Sequence, residues 1–174
     1  KKTLFKDFIV QRYSKPLTAM KLKDQSDELV SAFKCSDKSD VIMVSKNGYY
    51  VKYNLSEVPV IGPKGSGVKG INLKDDELVS LSVIKDNDEY INIVSNNKTA
   101  KRVKLSELAT MSRAKKGSLI MKKVKTQDYH IIDAFTSESR DDICLKSDSE
   151  IREIKNSDIP IMDTLSTGSS ISNR

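Results

Sequence analysis

The chain has 174 residues, 37% hydrophobic and 31% charged, with 4 Phe, 6 Tyr and no Trp, which suits one core or one stretch of a repeat array and excludes a disordered tail. Lys and Arg number 30 against 24 Asp and Glu, a net charge of +6 held unevenly: residues 131–174 carry 5 basic and 9 acidic side chains, leaving 25 against 15, a net +10, in residues 1–130. A field of that sign attracts a polyanion, nucleic acid or an acidic membrane face, and leaves the acidic end off the contact face. The isolated Cys35 and Cys144 support neither a disulfide framework nor a zinc site and favour a reducing compartment. No apolar run approaches the roughly 18 residues of a membrane span, and the start lacks the apolar stretch of a signal peptide, so a cytoplasmic location is expected. Lys1 in place of an initiator Met suggests a piece of a longer chain.

In chain order, residues 2–8 read as the last strand of a repeat unit, Lys6-Asp7-Phe8 standing where Ser56-Glu57-Val58 stands fifty residues on. Self-comparison precedes any other assignment, because a missed repeat misassigns the whole fold. Residues 44–58 match residues 94–108 without a gap, and residues 145–159 match them again. Each tract closes on a related triplet: Ser56-Glu57-Val58, Ser106-Glu107-Leu108, Ser157-Asp158-Ile159. The opening half repeats more loosely. Residues 15–22 and 116–123 answer to Gly67-Val68-Lys69-Gly70-Ile71-Asn72-Leu73, and Asp27-Glu28-Leu29-Val30-Ser31 answers to Asp76-Glu77-Leu78-Val79-Ser80. Three whole units result, approximately 9–58, 59–108 and 109–159, with partial units at 1–8 and 160–174, where Thr167 to Ile171 reads as a first strand.

Within one unit four strands are expected, over 67–73, 77–84, 89–95 and 100–105. Their period-two alternation is plainest in Val51, Tyr53 and Leu55 against Lys52 and Asn54, and Asn47-Gly48 is a hairpin turn signal. Four-stranded units of this length predict an all-β, propeller-like array of about three whole blades with partial blade strands at each end. Ser106 to Lys116 alone reads as helix; the equivalent residues 56–66 contain Pro59, Gly62 and Pro63, so a loop is expected there. Asp75-Asp76-Glu77 lie in a turn, where turn chemistry accounts for them better than a metal site. His130, the only His, lacks any array at ligand spacing and reads as structural. No P-loop, Gly-x-Ser-x-Gly or His-centred triad appears, which argues against catalysis by this chain.

The run Gly67-Val68-Lys69-Gly70-Ile71-Asn72-Leu73-Lys74-Asp75-Asp76-Glu77-Leu78-Val79, the Lys46-Asn47-Gly48-Tyr49-Tyr50-Val51-Lys52 hairpin and the Leu55-Ser56-Glu57-Val58 close resemble the C-terminal repeat domain of the bacterial type IIA topoisomerase family, in its DNA-cleaving polypeptide. The resemblance covers nearly the whole chain and recurs in each unit. It implies a β-pinwheel whose blades share strands and whose basic rim wraps duplex DNA, with the catalytic Tyr in an N-terminal region absent here. It also implies no cofactor in this chain, ATP and magnesium being used elsewhere in the parent enzyme. The implied partners are duplex DNA, the rest of the DNA-cleaving polypeptide, and the companion ATPase polypeptide. A Gln-Arg-Arg-Gly-Gly-Lys-Gly box, as in gyrase, is absent. The nearest stretches, at 11–16, 62–67 and 112–117, are degenerate, which favours the topoisomerase IV branch.

Wrapping DNA asks for cations at intervals along a rim, where they displace counterions from phosphate with little base reading. The candidates are Arg12, Lys15 and Lys21 in the first unit, Lys64, Lys69 and Lys74 in the second, and Arg113, Lys115, Lys116 and Lys122 in the third. Glycines at 62, 65, 67 and 117 would bring backbone amides near phosphate. Lys101, Arg102 and Lys104 are weaker candidates that would otherwise blunt a sheet edge. The rival reading is a protein-binding scaffold.

Overall fold

The computed structural model describes residues 1–10, 14–124, 128–146 and 150–171. The strands are β1 (Asp40–Ser45), β2 (Tyr49–Asn54), β3 (Leu78–Ile84), β4 (Tyr90–Ser95), β5 (Thr99–Lys104), β6 (Ser118–Leu119), β7 (Ile131–Ser137), β8 (Asp142–Lys146), β9 (Ile151–Lys155) and β10 (Ser169–Ser170). They form two four-stranded sheets, β3-β1-β2-β6 and β10-β5-β4-β7, and the two-stranded sheet β8-β9. Every ladder in them is antiparallel.

The hairpins form where alternation and turn chemistry agree. Asn47-Gly48 closes β1 on β2 with Gly48 at φ +87°, a conformation glycine adopts freely. The strands of one sheet come from more than one unit, the sharing between blades that the resemblance implies. The hairpin β1-β2 belongs to residues 9–58, but β3 on one edge comes from 59–108 and β6 on the other from 109–159. The blades are therefore all-β and share strands, as in a pinwheel. The stretch 67–73 is not a strand. Its counterparts β6 and β10 pair with Tyr49–Tyr50 and Thr99–Ala100, whereas residues 67–73 pair with no strand. Residues 106–116 carry no α-helix, only the single 3-10 turn Leu105–Glu107 followed by loop.

The repeat governs detail below the strand level. β1 and β4 carry the same bulge against β3 and β7, at Val44/Ser45 and Val94/Ser95. The 3-10 turns Phe5–Phe8, Leu55–Glu57, Leu105–Glu107 and Asn156–Asp158 recur at matching positions. The backbone N–H groups of Leu55, Leu105 and Asn156 donate to the carbonyls of Ser39, Glu89 and Asp141. From Glu89 to Asp141 the spacing exceeds that from Leu105 to Asn156 by one residue. So β8 lies one position later than a gapless match of 94–108 to 145–159 implies.

Three apolar clusters form the core. The central one joins neighbouring blades through Ile42, Val44, Ile91, Ile93, Val103 and Ile131; a second holds Val41, Val51, Tyr53 and Ile71, and a third Val94, Ala100, Ile143 and Ile154. Full burial of side chains of this size contributes about 1.5–3 kcal/mol each. Between the two four-stranded sheets, β3 lies against β7, with the Ser80 hydroxyl donating to the Ala134 carbonyl.

Candidate nucleic-acid interface

The loops that carry the predicted cations stack on one another in chain order. The Lys21 amide donates to the Gly65 carbonyl (3.4 Å), the Ala114 amide to Gly70 (2.8 Å) and the Asn72 amide to Lys115 (2.8 Å). Three loops are also tied to earlier backbone: the amides of Ile61, Met111 and Met162 donate to the carbonyls of Lys2, Lys52 and Arg102 at 2.8, 2.8 and 2.9 Å. Two of the predicted glycines serve this stacking. Gly67 and Gly117 adopt φ +122° and +87°, and a Cβ on Gly117 would lie 2.0 Å from the Tyr50 carbonyl oxygen. Gly62 has open space around it.

Along this ridge Lys15, Lys21, Lys64, Lys69, Lys74, Lys115, Lys116 and Lys122 are exposed. Among the described residues none of the eight is paired with a carboxylate. The contrast with Lys46, Lys2 and Lys104, which reach Glu77 (3.0 Å), Asp37 (2.7 Å) and Glu107 (3.8 Å), marks the ridge as a row of uncompensated charge. Arg12 lies outside the described residues. Arg113 differs from the lysines: its Nη1 donates to the Lys69 carbonyl (2.7 Å), its Nε to the Glu57 carbonyl (3.3 Å), and its backbone amide to the Glu57 carboxylate (2.9 Å). It joins the third unit to both the first and the second.

Sequence reasoning missed a cleft beside Tyr49. The Nζ atoms of Lys116 and Lys123 stand 4.4 and 5.3 Å from the Tyr49 ring centroid, within cation–π range. Lys74, with φ +54°, and Asn47 complete a cleft of ≈ 170 Å³. Lys123 follows Lys122 in sequence, and only the fold brings Tyr49 beneath it. The neighbouring carboxylates act as turn chemistry asks: Asp76 Oδ1 accepts from the amides of Asn47 (3.0 Å) and Glu77 (2.8 Å). His130 Nδ1 lies 3.1 Å from Asp128, and its backbone amide donates to Asn96 Oδ1. No group of three metal-ligating side chains occurs among the described residues.

Two of the β5 cations belong to the interior, so the edge-blunting expectation for them is corrected. Lys101 and Arg102 are 1% and 6% exposed. The fold turns them inward because residues 157–166 cover β5 on both sides, Asp163 and Ser166 over Lys101 and Ser157 and Ile159 over Arg102. Lys101 Nζ donates to the carbonyls of Asp163 (2.7 Å) and Ser166 (2.9 Å), and burial lowers its pKa from 10.5 to about 8. Arg102 Nε donates to the Ile159 carbonyl (2.7 Å), and its guanidinium sits 4.7 Å from the Tyr90 ring centroid. Lys52 and Lys2 do the equivalent work one and two units earlier, both donating 2.9 Å bonds, to the carbonyls of Leu105 and Leu55. Lys104 alone stays exposed.

The sequence matches the family described as "DNA gyrase C-terminal domain, beta-propeller" in three tracts, residues 1–36, 39–85 and 89–137. It is 31% identical over 170 residues to the DNA topoisomerase 4 A polypeptide of Bacillus subtilis (strain 168), covering 97% of this chain and 21% of that protein. The chain thus spans about a fifth of that relative's length. Among solved structures it resembles the C-terminal domain of DNA topoisomerase IV, with TM-score 0.89 and 35% identity, covering 95% of this chain and 52% of the other. The DNA gyrase A C-terminal domain follows with TM-score 0.77 and 25% identity, covering 89% and 54%.

Proposed function

Because the chain belongs to the DNA gyrase C-terminal domain family, we propose that it is the non-catalytic part of the DNA-cleaving polypeptide of a topoisomerase IV, which binds duplex DNA, bends it around its rim and orients segments for ATP-dependent strand passage in relaxation and decatenation. Its partners on this reading are duplex DNA, the remainder of that polypeptide with the catalytic Tyr, and the companion ATPase polypeptide, all at the bacterial chromosome in the cytoplasm. The observation that carries the reading is the row of eight exposed lysines without carboxylate partners on loops stacked in chain order.

Such a row suits phosphate better than bases. Lysine is a strongly hydrated point charge on a flexible stem, and phosphate contacts position a duplex whatever its sequence. Smooth bending of 20–30 bp costs on the order of 1–6 kcal/mol, so several contacts must act together. The logarithm of affinity for duplex DNA is expected to fall with the logarithm of salt by about 0.9 per phosphate contacted. The double variant Lys64→Glu/Lys69→Glu is expected to weaken binding with little sequence preference and to flatten that slope. A flat salt response in the unaltered chain would overturn the reading; retention of a protein partner despite nuclease treatment would favour a scaffold instead.

A further inference from the structure

The ammonium groups of Lys116 and Lys123 share one partner, the Tyr49 ring, at 4.4 and 5.3 Å from its centroid. Among the described residues Tyr49 is the only ring with two cations against it. The ring stands at the start of β2, and the two lysines flank β6, which pairs with β2 through Tyr49↔Leu119 and Tyr50↔Ser118. Strand pairing between the first and third units therefore sets both charges on one ring. The next hairpin is built differently. Thr99 stands where Tyr49 stands and Thr167 where Lys116 stands, and the Thr99 hydroxyl donates to the Thr167 carbonyl (2.8 Å). The paired cations are thus no requirement of the blade architecture.

Like charges held against one ring repel each other, and the negative face of the ring offsets only part of that. Lys74 adds a third cation to the lining, at φ +54°, a backbone conformation that costs a non-glycine residue some strain. Asp75 and Asp76 line the cleft as well, but Asp76 Oδ1 already accepts from the amides of Asn47 (3.0 Å) and Glu77 (2.8 Å). Among the described residues none of the three lysines is paired with a carboxylate.

We propose that the Tyr49 cleft seats one phosphodiester group of a duplex, its oxygens accepting from Lys116 and Lys123 together, and so fixes one point of the DNA path against the first hairpin. The inference rests on the duplex-binding reading above and sharpens it from a row of separate contacts to one prepared seat. A phosphodiester spreads a single negative charge over its free oxygens, so one group can serve both ammonium donors. The ring holds those donors in place before the anion arrives, so less side-chain freedom is lost on binding than at an unsupported lysine. Charge over the ring suits an anion rather than a stacked base. The exposed Lys115 and Lys122 continue the charge beyond the pair, as a run of phosphates asks.

The test titrates a fluorescent duplex with the whole chain across a salt series. Tyr49→Leu keeps every charge, yet is expected to weaken binding about fivefold, while Tyr49→Phe, which keeps the ring, binds as the unaltered chain does. Lys116→Gln/Lys123→Gln, at exposed positions, is expected to flatten the salt slope by about 0.9, the value for one shared phosphate, rather than by about 1.8 for two separate ones. Equal binding by Tyr49→Leu, or a slope change near the larger value, would overturn the seat while leaving the duplex reading in place. No duplex binding by the unaltered chain would overturn both. Vesicles of phosphatidylglycerol give the other source of phosphodiester: if Tyr49→Leu loses vesicle binding and keeps duplex binding, the seat belongs to a lipid headgroup and the proposal is overturned.

Discussion

Lys101 and Lys116 show how one residue type takes opposite roles within one chain. Lys116 is exposed over the Tyr49 ring, while Lys101 is buried with two carbonyls as its partners. The neutral amine has two N–H donors, matching those two carbonyls, so loss of the proton at Lys101 relieves a desolvation cost without orphaning an acceptor. With the folded pKa near 8 and the unfolded value at 10.5, the unfolded chain binds more protons between those pH values. Stability is therefore expected to rise with pH across that window. Comparing melting temperatures of the unaltered chain and Lys101→Met from pH 7.5 to 10 checks this: the excess rise should vanish in the variant. Arg113 and Lys115 separate structure from binding in the same way. Arg113→Ala removes two bonds between units and should cost about 1–2 kcal/mol of stability by chemical denaturation. Lys115→Ala should leave stability within about 0.5 kcal/mol and lower duplex affinity, as measured by titration.

At the scale of elements, the strands and turns were legible because period-two alternation, Asn47-Gly48 and the closing triplets recur about every fifty residues. Their assignment to sheets was not, because nothing local in β3 or β6 records which hairpin edge it will meet. That is decided by the intervening loops, which carry β3 back to the hairpin one unit earlier and β6 back to the hairpin two units earlier. The inward turn of Lys101 and Arg102 was hidden for a related reason: a basic residue in an alternating strand looks solvated until the following loop covers it. The lysine ridge was readable from recurrence, whereas the Tyr49 cleft depends on residues from two units meeting. Glycine separates these levels experimentally. Gly117→Ala places a Cβ against the Tyr50 carbonyl at positive φ and should cost roughly 3 kcal/mol or more, loosening β6 from β2. Gly62→Ala meets nothing and should be neutral or stabilising by about 0.4–1 kcal/mol. Thermal denaturation of the pair checks the contrast.

Over the whole molecule, the three apolar clusters and the inter-unit bonds of Lys2, Lys52 and Arg102 join the units in series. Hydrogen exchange is expected to give the amides of β1, β2, β4 and β5 one shared opening free energy, and separate values for each hairpin would contradict this coupling. The sheet β3-β1-β2-β6 draws its strands from residues 40 to 119. During synthesis from the N-terminus, the hairpin β1-β2 is complete long before β3 emerges, and β6 follows only after β3, β4 and β5 have all been made. A translating ribosome therefore presents a growing series of unfinished blades with one raw edge always at the exit. That edge is sealed only as the following unit appears, so pauses in translation, and not only sequence changes, are points at which this protein is exposed to mispairing.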